Sequence, residues 1–109
     1  MTARIPSRPR HELPAIDQAA LAAARSADRL LDAARAIESR RWIAYLEPVP
    51  GHLRDDPVRD LRATARAARS AFGAKDSIAE VFPEELTRPF RDDLDRLLKV
   101  LARAEVEPD

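Results

Sequence analysis

Residues 14 to 42 read PAIDQAALAAARSADRLLDAARAIESRRW, and the spacing of apolar side chains in this stretch decides the fold. Ile16, Ala20, Ala23, Ala27, Leu30, Ala34 and Ile37 recur three and four apart, the period that places side chains on one face of an α-helix. Pro14 suits a first helical turn, where a missing N–H removes no hydrogen bond. The expected first helix runs from about 14 to 46. Between Ile37 and Trp42 the phase slips, because Arg41 takes the next core position while Trp42, Tyr45 and Leu46 mark a rotated face. That slip is consistent with a bend or break near Ser39 to Arg41.

Working outward, Pro48, Pro50 and Gly51 predict the end of this helix and a loop to Asp56, whose carboxylate is placed to cap the next helix just before Pro57. A second helix over about 57–72 carries Val58, Leu61, Ala65, Ala68 and Phe72 as its core stripe, with Gly73 expected as a left-handed C-terminal residue. Ser77 and Glu80 have capping-box spacing, which predicts a short connecting helix over about 77–82, stopped by Pro83. A last helix over about 88–105 puts Phe90, Leu94, Leu97, Leu98 and Leu101 on one face. Its acids Asp92, Asp93 and Asp95 come early and Lys99 and Arg103 late, the order the helix dipole favours. Residues 1–13 hold Pro6, Pro9 and several arginines without periodicity and read as a flexible, extended basic arm. The expected fold class is all-α: a small up-down bundle of three main helices and a short connecting one, forming a single helical domain over 14–109.

Composition narrows the function. At 109 residues the chain supports one thin core, and 35% charged residues with only 5% aromatic ones fit helices with narrow apolar stripes. The absence of cysteine excludes disulfides, thiolate metal sites and cysteine nucleophiles. Two glycines, Gly51 and Gly73, cannot build a phosphate-cradling loop or a dinucleotide fingerprint, so no cofactor is expected. No apolar run approaches the ~20 residues that span a bilayer, and the N-terminus lacks the apolar core of a secretory signal, so the expected location is cytoplasmic and no membrane partner is expected. The zero net charge is graded along the chain: residues 1–14 and 48–75 are net basic, 15–47 are balanced, and 76–109 are net acidic.

Length adds an argument about partners. A continuous helix over 14–46 is about 50 Å long, whereas the second and last helices are about 24 and 27 Å. Neither alone covers it, and its alanine stripe permits close helix approach. A break at the phase slip, tandem coverage by the other two helices, or a second chain would each resolve the mismatch. The sequence favours self-association or another helical protein as partner.

Two polar constellations stand out. Arg59, Arg62, Arg66 and Arg69 line one face of the second helix, either as a basic ridge for phosphates or acidic proteins, or as partners for the acidic C-terminal segment. Arg40, Arg41, Trp42, Tyr45, His52 and Arg54 gather around the end of the first helix and the following loop. Flat rings with forked donors there suit a partner contact, a stacking site or an anion site, and equally a hydrophobic cap over the helix end. Asp92, Asp93 and Asp95 fail the DDxxD diphosphate-binding spacing because position 96 is arginine, and His11 and His52 fall in no metal-binding pattern. No serine lies in a nucleophile context. The expected function is a non-enzymatic interaction module, a small helical accessory or adaptor subunit. Nucleic-acid binding through the arginine ridge and the basic arm is the alternative, and a small-ligand or enzymatic site near Trp42 a weaker one.

Overall fold

The computed structural model describes residues 8–73 and 77–106. Among the described residues six α-helices carry the fold: α1 (Pro14–Ala36), α2 (Arg40–Leu46), α3 (Val49–Asp55), α4 (Val58–Arg69), α5 (Ile78–Val81) and α6 (Glu84–Val106). Two 3-10 turns, Arg10–Glu12 and Ser70–Phe72, precede α1 and follow α4. No strand occurs among the described residues, and the architecture is the expected small all-α bundle.

The first helix stops at Ala36 instead of running to 46. Ser39 N–H donates to the Ala34 carbonyl at 3.0 Å and Glu38 N–H to the Arg35 carbonyl at 3.1 Å, with Glu38 at φ 54°. This is the Schellman closure of a helix end, with a left-handed residue one place beyond the C-cap. The position most often belongs to glycine, whose lack of Cβ removes the clash, and a glutamate occupies it here. Ser39 then caps α2, its Oγ accepting from Trp42 N–H at 3.4 Å. One residue therefore ends one helix and starts the next. The break throws Ile37 outward, so the last position of the expected stripe is 56% exposed, while Ile16, Ala20, Ala23, Ala27, Leu30 and Ala34 are buried.

The predicted loop over 47–56 is instead α3. Pro48 is its N-cap and Pro50 falls in its first turn, where missing N–H groups have no helical partner to lose, and Gly51 lies inside the helix. Asp56 does not cap α4; its carboxylate accepts from Thr64 and His52, and Pro57 takes the N-cap position. Gly73 is extended (φ −68°, ψ 178°) and not left-handed, because the 3-10 turn over Ser70–Phe72 closes α4. Ser77 makes no side-chain cap; its carbonyl accepts from Glu80 N–H at 3.0 Å. The last helix begins one turn earlier than expected, at Glu84, with Pro89 inside it. Pro83 supplies the carbonyl that receives Leu86 N–H and Thr87 N–H.

Helix α1 is the central element. It packs most extensively against α6 and then against α3 and α2, which explains an apolar band wider than a single stripe: Ala19, Ala24, Ser26 and Leu31 are buried as well. Both α1 and α6 have 23 residues, about 35 Å each, so the length mismatch that favoured a second chain disappears. Ser26, buried within this alanine-rich contact, donates to Asp93 Oδ2 at 2.5 Å and accepts from Arg29 at 3.3 Å. Helix α4 buries Val58, Leu61, Ala65 and Ala68, and α6 buries Phe90, Leu94, Leu97 and Leu101, as their periodicity required.

Of the N-terminal arm, residues 1–7, with Arg4, lie outside the described residues. Arg8 is exposed. The segment that follows is anchored: Arg10 Nε meets Asp17 Oδ1 at 2.9 Å and one Nη donates to the Asp56 carbonyl at 3.0 Å, with the guanidinium only 11% exposed. Residues 10–12 form a turn instead of continuing an extended arm, and this double contact holds them against α1 and the α3–α4 junction.

Candidate functional site

The short helix α2 brings three of the expected site residues together. Trp42 is buried, its ring meeting Tyr45 edge-on at 5.5 Å and Phe82 edge-on at 6.3 Å. The Arg41 guanidinium lies over the Trp42 ring, 5.0 Å from its centroid. The burial expected of a hydrophobic cap is thus realised for Trp42, whereas Tyr45 is 36% exposed and Arg41 faces solvent.

Tyr45 stitches α2 to α4. Its hydroxyl donates to the Ala67 carbonyl at 2.7 Å, and Ser70 Oγ donates to the same oxygen at 2.5 Å. The last four carbonyls of a helix have no intrahelical partner, and Ala67 is one of them in α4. Between α2 and the end of α4 opens a groove of about 490 Å³. Arg41, Trp42, Ala44 and Tyr45 line it from one side, and Ser70, Ala71, Gly73 and Ser77 from the other. The second wall was not anticipated, since Ser70, Ala71, Gly73 and Ser77 lie far along the chain and are brought close by tertiary contacts such as the Tyr45–Ala67 bond and the Trp42–Phe82 ring contact. Among the described residues the exposed large apolar side chains are Ile37, Tyr45 and Val81. Tyr45 meets the Trp42 ring, Ile37 lies at the α1–α2 bend, and Val81 ends α5 beside Phe82, which meets the indole from the other direction in the chain.

The other expected residues go elsewhere. Arg40 is exposed and His52 and Arg54 lie on α3, outside the groove lining. Arg54 pairs with Asp28 at 2.9 Å. His52 Nδ1–H donates to Asp56 Oδ1 at 3.0 Å, the carboxylate being able only to accept. That bond, and then the carboxylate's charge, raise the imidazole pKa above its ordinary 6.5. For Asp56, partial burial pushes the carboxyl up, but hydrogen bonds from Thr64 and His52 and the charges of His52 and Arg10 outweigh it and leave the pKa lowered. The network fastens the N-terminal turn, α3 and α4 together, and its members have other protein groups as partners.

The arginine ridge is divided. Arg69 pairs with Asp95 of α6 at 2.8 Å and stacks over Phe72, whose ring meets Phe90 at 6.1 Å. It is therefore part of the α4–α6 contact, as the acidic C-terminal segment suggested. Arg59 and Arg66 are exposed, and Arg62 is half-buried.

Asp93 is committed to Ser26, Asp95 to Arg69, and among the described residues no group of acids and histidines is placed to hold a metal ion. No helix among the described residues is long and apolar enough to cross a membrane. The arrangement at Trp42 offers an aromatic edge, a stacked guanidinium, serine hydroxyls and a floor of small side chains, which together suit binding. Comparison with known proteins adds no assignment: no family model, curated protein or solved structure matches the chain.

Proposed function

We propose that the protein is a non-enzymatic helical interaction module, an accessory or adaptor subunit that receives another polypeptide in the groove beside Trp42. The carrying observation is the exposed Tyr45 and the stacked Arg41 beside a buried indole, all three lining one open groove. Aromatic side chains with neighbouring arginine are the residue types that dominate binding energy at protein contacts. Buried Trp42 shapes the surface, and Tyr45 and Arg41 present it. The equal lengths of α1 and α6 give no reason for a second copy of the chain to cover α1.

The test is purification of partners on the full chain from the source cells, comparing wild type with Arg41→Glu/Tyr45→Ala and with Arg59→Glu/Arg66→Glu. A partner retained by wild type and by the α4 variant, and lost from the groove variant with its helical circular dichroism intact, supports the reading. Retention that instead depends on Arg59 and Arg66, and falls steeply with salt, supports nucleic-acid or acidic-surface binding by α4. Light scattering of the wild-type chain reports whether a second copy is the partner.

A further inference from the structure

We infer that the partner segment of this groove presents a carboxylate side chain beside an apolar one, with the carboxylate received by Arg41 and the apolar group seated between Tyr45 and the small-residue floor. The inference rests on the groove being a polypeptide-binding site, and names its chemistry.

The argument starts from what already covers the indole. The Arg41 guanidinium over the Trp42 ring occupies one aromatic face that a cationic side chain or a nucleic-acid base would need. A positive group arriving there also meets like charge. What the stacked guanidinium leaves open is its edge, a planar fork of N–H donors matched to a carboxylate. Stacking limits the guanidinium's freedom before any ligand arrives, so less rotamer entropy is lost on pairing. Among the described residues no carboxylate pairs with Arg41, although Arg10, Arg54, Arg69 and Arg88 each pair with an acid.

The remainder of the groove sets the second requirement. Ala44, Ala71 and Gly73 contribute little side-chain volume, so the floor leaves space for an incoming side chain, and the half-exposed Tyr45 ring is its natural apolar contact. The Tyr45 and Ser70 hydroxyl protons are already given to the Ala67 carbonyl. Those two groups therefore offer acceptors to the ligand and no free donor. Among the described residues of the lining Arg41 is the one charged donor, which suits a single carboxylate there, in contrast to a polyanion that needs several cations along a track.

The experiment uses the full chain, isotopically labelled, against a synthetic set of blocked twelve-residue peptides. Each has leucine or phenylalanine at its centre, flanked in turn by Asp or Glu, by Asn or Gln, and by Lys. The expected result is saturable shifts in the backbone amide signals of residues 41–45 and 70–73, with acidic peptides binding about fivefold tighter than their amide counterparts, or about 1 kcal/mol, and lysine peptides weakest. Arg41→Gln should abolish the preference for acid over amide, so that acidic peptides and their amide counterparts bind the variant equally. Arg41→Lys should keep part of it. Equal binding of acidic and amide peptides overturns this inference and leaves the groove as an apolar peptide site. Shifts confined to other surfaces, or no shifts with any peptide in the set, overturn the groove reading as well.

Discussion

Replacing Glu38 by glycine should make the protein more stable. Glu38 sits at φ 54°, in the left-handed region, as the residue that closes α1. An L-residue with a side chain costs about 1–2 kcal/mol there, because Cβ approaches the following carbonyl. Glycine removes that cost but has more freedom to lose on folding, which returns about 0.4–1 kcal/mol. Glu38 itself is exposed and forms no ion pair among the described residues, so removing its carboxylate breaks nothing visible. The two backbone hydrogen bonds of the closure, Ser39 to Ala34 and Glu38 to Arg35, remain available to glycine. The net gain is about 0.5–1 kcal/mol, which for a domain of this size raises the melting temperature by about 2–8 °C. Urea and thermal unfolding followed by circular dichroism measure it, with Glu38→Ala as the control that keeps Cβ and Glu38→Val as the variant that worsens the clash. The expected order is Gly above Ala, and Ala above Val. A glycine variant no more stable than the alanine one would refute the claim that backbone conformation limits this position.

Other outcomes follow from the packing and the polar links. Ser26→Ala should cost about 1–2 kcal/mol by equilibrium unfolding, since it removes a hydroxyl donor to the Asp93 carboxylate at the α1–α6 contact, and Asp93→Asn should cost less because an acceptor remains. Trp42→Ala should cost about 3–5 kcal/mol, a large share of the total for a small domain, and Trp42→Phe clearly less, as measured by urea midpoint. The raised pKa of His52 means that the stability it contributes is complete below about pH 6.5 and is lost as pH rises through the folded value; a small decline across neutral pH should be absent in His52→Asn. The lowered pKa of Asp56 has the opposite sign, so its contribution is present above its unfolded pKa near 3.8 and is lost as acid titrates it, and Asp56→Asn should flatten that part of the acid unfolding curve.

Much of the fold was legible because α1, α4 and α6 bury stripes that repeat at the helical period, and Ile16 through Ala34, Val58 through Ala68, and Phe90 through Leu101 lie where the spacing put them. The phase slip at Arg41 likewise marked a real break. What misled was local punctuation. Pro48, Pro50 and Gly51 resemble a loop, yet prolines in a first turn are compatible with a helix, and α3 forms on them. The last helix was expected from about Arg88, but the preceding turn closes on the Pro83 carbonyl and extends it back to Glu84. At the candidate site, Arg41, Trp42 and Tyr45 were readable because they share one short helix. Ser70, Gly73 and Ser77 were not, because an orphan carbonyl at the end of α4 is a tertiary fact that no spacing announces. The nearest signal was the pairing of a tyrosine with a helix end bearing a serine.

The pairing of α1 with α6 has a consequence for how the chain comes to be folded in a cell. The largest share of the packing against the first helix belongs to the last, and between them lie all of α2 to α5. On the ribosome, α1 emerges with its alanine face open and waits for nearly the whole of the remaining chain before its main partner arrives. Until then α3, α2 and the N-terminal turn are its local cover, so the nascent protein holds a half-lined core whose completion coincides with the delivery of Phe90, Leu94 and Leu97. Closing so long an intervening segment slows folding more than it weakens the product. A chain arrested before Glu84 should therefore remain open to protease along α1, while the full-length protein resists it.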